Sequence, residues 1–161
     1  MSKTGTSQRS TTRSLAPAVG ALAALTLLTA PPASAATPAQ TWAYDSAHAT
    51  LFNQATNGCL AATTPGAVTI ILDMRQCTNP STTVQRFQVQ PQAIVSQNPA
   101  TQGFCLTGSG PNGPTGLIPC NGGTAQRYAL DPSTRTIRNL TSGLCLTANA
   151  VGQATTMRTC V

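Results

Sequence analysis

One segment of this chain occurs twice, 86 residues apart. Gln40-Thr41-Trp42-Ala43-Tyr44-Asp45 runs on through Leu51 and Asn53 to Cys59-Leu60. Gln126-Arg127-Tyr128-Ala129-Leu130-Asp131 runs on through Ile137 and Asn139 to Cys145-Leu146, and the two copies align without a gap over 21 residues. A looser third copy opens at Gln85-Arg86-Phe87 and reaches Cys105-Leu106. Repetition at this period restricts a chain to architectures in which each unit buries its apolar face against its neighbours. Three units follow, each beginning with Gln-x-aromatic and each holding two cysteines.

The repeat also organises the cysteines. Six cysteines admit 15 connectivities, but one pair per unit selects Cys59–Cys77, Cys105–Cys120 and Cys145–Cys160, with separations of 18, 15 and 15. Paired cysteines imply an oxidising compartment. A metal site is not expected, because clustered Cys-x-x-Cys spacing is missing and His48 is the one histidine. No cofactor is expected either.

The N-terminal 35 residues read as a secretory signal peptide, which places the protein outside the cell. Lys3, Arg9 and Arg13 form a positive region, residues 15–30 an apolar stretch, and Ala33-Ser34-Ala35 a small-x-small cleavage site. The apolar stretch is shorter than the roughly 20 residues of a membrane span. Residues 36–161 then form one domain, with no membrane segment after cleavage and a monomer expected. The formal charge of +6 overstates its basic character. Beyond the signal, six scattered arginines face Asp45, Asp73 and Asp131, with no lysine and no glutamate. That is not the basic stripe of a nucleic-acid-binding protein.

Beyond the signal, short apolar runs alternate with turn residues at intervals of about ten, the pattern of an all-β chain. Trp42–Tyr44 pairs with Thr50–Phe52, Phe87–Val89 with Ala93–Val95, and Tyr128–Leu130 with Thr136–Arg138, each across a turn. A Cys-Leu strand follows in each unit, and Val68–Leu72, Gly116–Ile118 or Thr155–Arg158 leads to its second cysteine. Four strands in each of three units predict a β-trefoil, a closed barrel with three capping hairpins that leaves no sheet edge exposed. Its core is expected around Trp42, Phe87 and Tyr128, with Leu60, Leu106 and Leu146.

These residues resemble the ricin B-type lectins, β-trefoil carbohydrate-binding modules. Gln40-Thr41-Trp42, Gln85-Arg86-Phe87 and Gln126-Arg127-Tyr128 are similar to the family's Gln-x-Trp motif. Cys59-Leu60, Cys105-Leu106 and Cys145-Leu146 are similar to its Cys-Leu-Asp strand, and Cys120-Asn121-Gly122 to Gln126 to its Cys-Asn-Gly…Gln-x-Trp run. Units of the family usually end on Gln-x-Trp, whereas this chain begins with that strand at Gln40. The implied threefold is one in which the N-terminal strand closes the last unit.

The resemblance implies where a galactose-type pocket belongs, and most of its groups are replaced. At the acceptor Asp position stand Ala61, Thr107 and Thr147. At the stacking aromatic stand Arg75, Ile118 and Arg158, and at the polar position Asp73, Gly116 and Thr156. A sugar site needs charge-assisted acceptors and a flat apolar platform, and no repeat has both at these positions. The remaining binding candidates are Asp73 and Arg75, two apart on one strand face, with Gln85, Gln126 and Asn121. The motif glutamines admit a second reading as buried side chains that brace the hairpin crossings. Asn121 and Asn149 also read as turn residues.

Catalysis is not expected from three carboxylates and one histidine. Asp45 and Asp131 share one turn position, and Asp45, Ser46 and His48 are too local to build a triad by themselves. Three functional readings remain. One is a secreted module that binds a polysaccharide or glycan with weak or non-standard preference. A second is a non-lectin trefoil that binds a protein partner, such as a protease. The third is a stable extracellular protein without a small ligand.

Overall fold

The computed structural model describes residues 37–63 and 70–161. The segment read as a signal peptide, and the first two residues of the strand expected from Val68, lie outside the described residues. Twelve strands occur among the described residues, four per repeat. The first repeat holds β1 (Trp42–Asp45), β2 (Thr50–Asn53), β3 (Gly58–Ala62) and β4 (Ile70–Arg75). The second holds β5 (Phe87–Gln90), β6 (Ala93–Ser96), β7 (Phe104–Gly108) and β8 (Thr115–Pro119). The third holds β9 (Tyr128–Leu130), β10 (Ile137–Asn139), β11 (Leu144–Thr147) and β12 (Thr156–Thr159). β4 runs nearer the second cysteine than its apolar run suggests, because it pairs along β3 from Ala62↔Leu72 to Cys59↔Arg75.

The turns follow from side-chain chemistry. Asp45 Oδ1 accepts the N–H groups of Ala47 and His48 at 2.9 and 3.3 Å. Asp131 Oδ1 accepts those of Ser133 and Thr134 at 2.8 and 3.3 Å, the same Asx-type turn in the third repeat. Asn53 and Asn139 repeat a second device. Their Nδ2 groups donate to the carbonyls of Thr41 and Thr124, and their Oδ1 atoms accept two N–H groups of the next turn.

The strands form an eight-stranded sheet, ordered β1-β2-β3-β4-β8-β7-β6-β5, and a four-stranded sheet, ordered β12-β11-β10-β9. All pairings are antiparallel. Isolated bridges Asp73↔Ala154 and Pro114↔Thr156 join the two. The N–H of Thr115 donates to the Thr155 carbonyl and the N–H of Thr155 to that of Leu72, each at about 3 Å. The buried hydroxyls of Thr115 and Thr155 also share a hydrogen bond, so this polar seam is satisfied where the sheets meet.

The core repeats with the sequence. Trp42, Phe87 and Tyr128 are buried, as are the cross-strand pairs Leu60↔Met74, Leu106↔Leu117 and Leu146↔Met157. Leu51, Ile94 and Ile137 complete the same layer. Tyr128 requires an adjustment, since it carries a hydroxyl into an apolar core. That hydroxyl donates to Met157 Sδ at 3.6 Å, and a Cβ at position 108 would stand 2.6 Å from it, so Gly108 makes its room. Burial pushes the Tyr128 phenol up to about 12.

Backbone bonds draw the threefold closed. The N–H of Phe87 donates to Ala49 in the tip of the first hairpin, that of Tyr128 to Gln92 in the second, and that of Trp42 to Arg135 in the third. Each Gln-x-aromatic strand is therefore anchored on the hairpin of the preceding unit, and β1 serves the third unit as its closing strand. The three cysteine pairs expected from the repeat are bonded, each with Cα atoms 5.0–5.1 Å apart.

The third turn predicts an acid response. Hydrogen bonds from the Ser133 hydroxyl and then from backbone N–H groups lower the Asp131 carboxyl from 3.8 to about 2. A carboxyl depressed in the folded state contributes stability that is complete above about pH 4 and is lost as pH falls through about 2. In Asp131→Asn, Tm should therefore fall less between pH 5 and pH 2 than in the wild type, by a small margin because the group is only partly buried and is screened by solvent. Thermal melts by circular dichroism across that range check this.

Candidate functional site

In the first repeat, antiparallel pairing sets Ala61 opposite Asp73 and Cys59 opposite Arg75. Residues two apart share a strand face, so the Asp73 and Arg75 side chains meet, as expected from their spacing. Arg75 Nε and Nη2 lie 2.9 and 2.7 Å from Asp73 Oδ2, and the Thr63 hydroxyl donates to the same oxygen at 2.8 Å. Asp73 is 7% exposed, and its buried Oδ1 has no hydrogen-bond partner among the described residues. The Arg75 side chain is 49% exposed. The hydrogen bond to Asp73, and then its charge, raise the Arg75 guanidinium above its ordinary value. A buried carboxylate thus holds a planar, permanently charged donor at the surface, with further N–H groups facing outward.

The motif glutamines occupy a different environment. Gln40, Gln85 and Gln126 are buried. Each Oε1 accepts the N–H of the residue after a second cysteine, from Val161, Thr78 and Asn121. Each Nε2 donates to the carbonyl of the residue before it, in Thr159, Gln76 and Pro119. The amide therefore clamps both flanks of the cysteine, and its hydrogen-bonding capacity is largely used within the fold. In the second and third repeats, Nε2 also donates to the hydroxyls of Thr107 and Thr147, at 3.2 and 3.1 Å. These threonines stand where the galactose-type pattern has its Asp, and each donates onward to a cysteine carbonyl.

Asn121 lies in the second repeat, its Oδ1 accepting the Gly123 N–H at 2.8 Å in an Asx turn. Asn149 likewise donates to the Ala154 carbonyl across a loop. The sequence candidates accordingly divide. Asp73 and Arg75 form one cluster, Gln85 clamps the cysteine at the end of that repeat, and Asn121 with Gln126 belongs to the next.

A further feature is not marked by any motif. Beneath the first hairpin, a groove of about 410 Å³ reaches the Cys59–Cys77 bridge, lined by Tyr44, Asp45, His48, Phe52, Thr78 and Asn79 among others. The corresponding groove of the second repeat, about 320 Å³, lies between the Pro91–Gln92 turn and Cys105–Cys120. The strand alternation that puts Phe52 on the outward face was available in the sequence, but the wall supplied by Thr78 and Asn79 depends on the disulfide folding that segment back. Among the described residues, no cluster of three His, Cys, Asp or Glu side chains that could hold a metal ion occurs.

A threefold β-barrel with one bridge per unit and clefts between hairpin and bridge defines a disulfide-stapled binding module of the β-trefoil class. The family model of the ricin-type β-trefoil lectin domain matches residues 65–161, and the chain belongs to that family. The agglutinin from Abrus precatorius is a solved structure of similar fold, with a TM-score of 0.55 and 21% identity over 63% of this chain and 40% of that one. The chain thus matches less than half of the agglutinin, and at this identity the likeness is one of fold. A search of curated proteins finds no match.

Proposed function

We propose that the protein is a secreted glycan-binding module whose preference departs from the galactose type. Membership of a lectin-domain family supports the class. The departure rests on one observation, Arg75 in place of the stacking aromatic and held by Asp73 at the polar position. Sugar hydroxyls and carboxylates both accept from an arginine fork, and the buried Asp73 keeps that fork in one orientation. The second and third repeats, with Gly116 and Ile118 or Thr156 and Arg158, lack such a pair, so binding through this surface is concentrated in the first repeat.

The test is a glycan array and affinity electrophoresis on the oxidised protein. Arg75→Ala removes charged hydrogen bonds of the kind that contribute about 1.5–3 kcal/mol, so affinity for a retained glycan should fall at least about tenfold. Its Tm should also fall by several degrees, because the buried Asp73 carboxylate keeps only the Thr63 hydroxyl as a partner, so affinity is compared below the onset of unfolding. Absence of retention on galactosides, xylan, chitin and mannan at high protein concentration would sink the proposal.

A further inference from the structure

We infer that the groove beneath the first hairpin is a saccharide-binding subsite for a neutral pyranose unit, separate from the Asp73–Arg75 pair. The inference rests on the glycan-binding reading above and adds a place and a ligand class to it.

The floor is set by strand register. Ala43 pairs with Phe52 and Phe52 with Cys59, so a phenyl ring stands on the outward face between a methyl group and a disulfide. Small neighbours on both sides leave the ring partly exposed, and Tyr44 lines the same groove. A partly exposed aromatic face is the platform on which the apolar face of a sugar ring packs. The other repeats do not supply one. Val95 fills the equivalent position opposite Cys105, and Arg138 fills it opposite Cys145.

The rim carries polar groups held in place before any ligand arrives. His48 Nδ1 lies 2.6 Å from Asp45 Oδ2, while Asp45 Oδ1 is fixed by two backbone N–H groups. With Nδ1 on the carboxylate, Nε2 is left to accept from a hydroxyl or, on a protonated ring, to donate to one. The hydrogen bond from His48 is the main cause that keeps Asp45 below the ordinary carboxylate range. The tip cannot drift, because the Ser81 hydroxyl donates to the His48 carbonyl at 2.9 Å and the Phe87 N–H to that of Ala49 at 2.6 Å. Asn79, exposed on the facing segment, offers an amide that both donates and accepts. Preorganisation of this kind lowers the ordering cost of binding.

Turn building does not account for the histidine. Asp131 makes the same two backbone bonds in the third hairpin, and there the residue matching His48 is Thr134. The imidazole is therefore additional to what the turn needs. The volume, about 410 Å³, falls within the usual range for small-molecule sites. Charge selects the ligand class. Among the described residues that line the groove, Asp45 is a carboxylate and none is an arginine or lysine, so a neutral sugar is favoured over an acidic one.

The experiment is affinity electrophoresis of the oxidised protein in gels containing β-glucan, galactomannan or arabinoxylan, with polygalacturonate as the acidic comparison, beside the glycan array. Wild type should be retarded by at least one neutral polysaccharide. On that polysaccharide Phe52→Ala and His48→Ala should each weaken retention about tenfold or more, while Phe52→Tyr retains most of it. His48 is exposed, so His48→Ala should fold normally and keeps the test valid if Phe52→Ala is destabilised. Retention by neutral polysaccharide that both alanine variants preserve within twofold, or retention by polygalacturonate alone, overturns the subsite and leaves glycan binding standing. No retention on any gel or array glycan overturns both.

Discussion

In reductant the protein should lose its fold at 37 °C. Three bridges close loops with separations of 18, 15 and 15 residues. In the loop-entropy model each such closure contributes about 3 kcal/mol, roughly 9 kcal/mol together, against a typical domain stability of about 5–15 kcal/mol. The bridges also hold the flanks that the buried glutamines clamp, so their loss releases both the cysteine and its amide partner. The Cys145–Cys160 pair replaced by serines should lower stability by about 3 kcal/mol without changing the fold in oxidising buffer. Urea unfolding followed by circular dichroism, with and without dithiothreitol, measures both. A reduced protein that melts within a few degrees of the oxidised one would show that the apolar core suffices alone.

Trp42→Ala should be the most damaging single substitution in the first strand, at about 3–5 kcal/mol. Trp42 is 1% exposed and belongs to the central cluster. Its indole Nε1 donates to the Leu146 carbonyl at 2.9 Å, 104 residues away. Alanine leaves a cavity and an unpaired buried carbonyl in the third repeat, and the fall in Tm should exceed about 10 °C. Trp42→Phe keeps most of the ring and removes the indole donor, so about 1–3 kcal/mol of the loss should remain. If Trp42→Ala melts like wild type, the first strand does not close the third unit. The same measurement on Phe87→Ala serves as the internal comparison, since Phe87 occupies the equivalent place without a polar handle.

Much of the fold was legible because the same local solution is written three times. Strand positions, the cysteine pairing and the six main core residues follow from the register of the repeats, and cross-strand pairs such as Leu106↔Leu117 are what that register dictates. Less of the site was legible. Gln-x-aromatic marks a position but not the direction of its amide. Only in three dimensions do Gln40, Gln85 and Gln126 reach the flanks of cysteines, in one case 121 residues distant. The spacing of Asp73 and Arg75 predicted a shared face, but not that one partner would be buried and the other half exposed, because burial depends on what packs over the strand. The groove beneath the first hairpin escaped the motifs altogether, since its walls come from the hairpin, residues 43–52, and from residues 77–79, which follow it only after the rest of the repeat.

By itself the sequence determined a threefold, disulfide-stapled β-trefoil with the aromatic of each repeated segment at its centre. Periodic burial and loop-closing cysteines are local properties of a chain, and they survive being read one residue at a time. The tertiary structure alone decided which polar groups remain for a ligand. Hydrogen bonding is short-ranged and directional, so whether an amide or a carboxylate is used up inside the fold or left at the surface depends on distant segments. On that basis the repeated glutamine became a clamp, and the aromatic groove with Asp45, His48 and Phe52 became the place to look for a sugar.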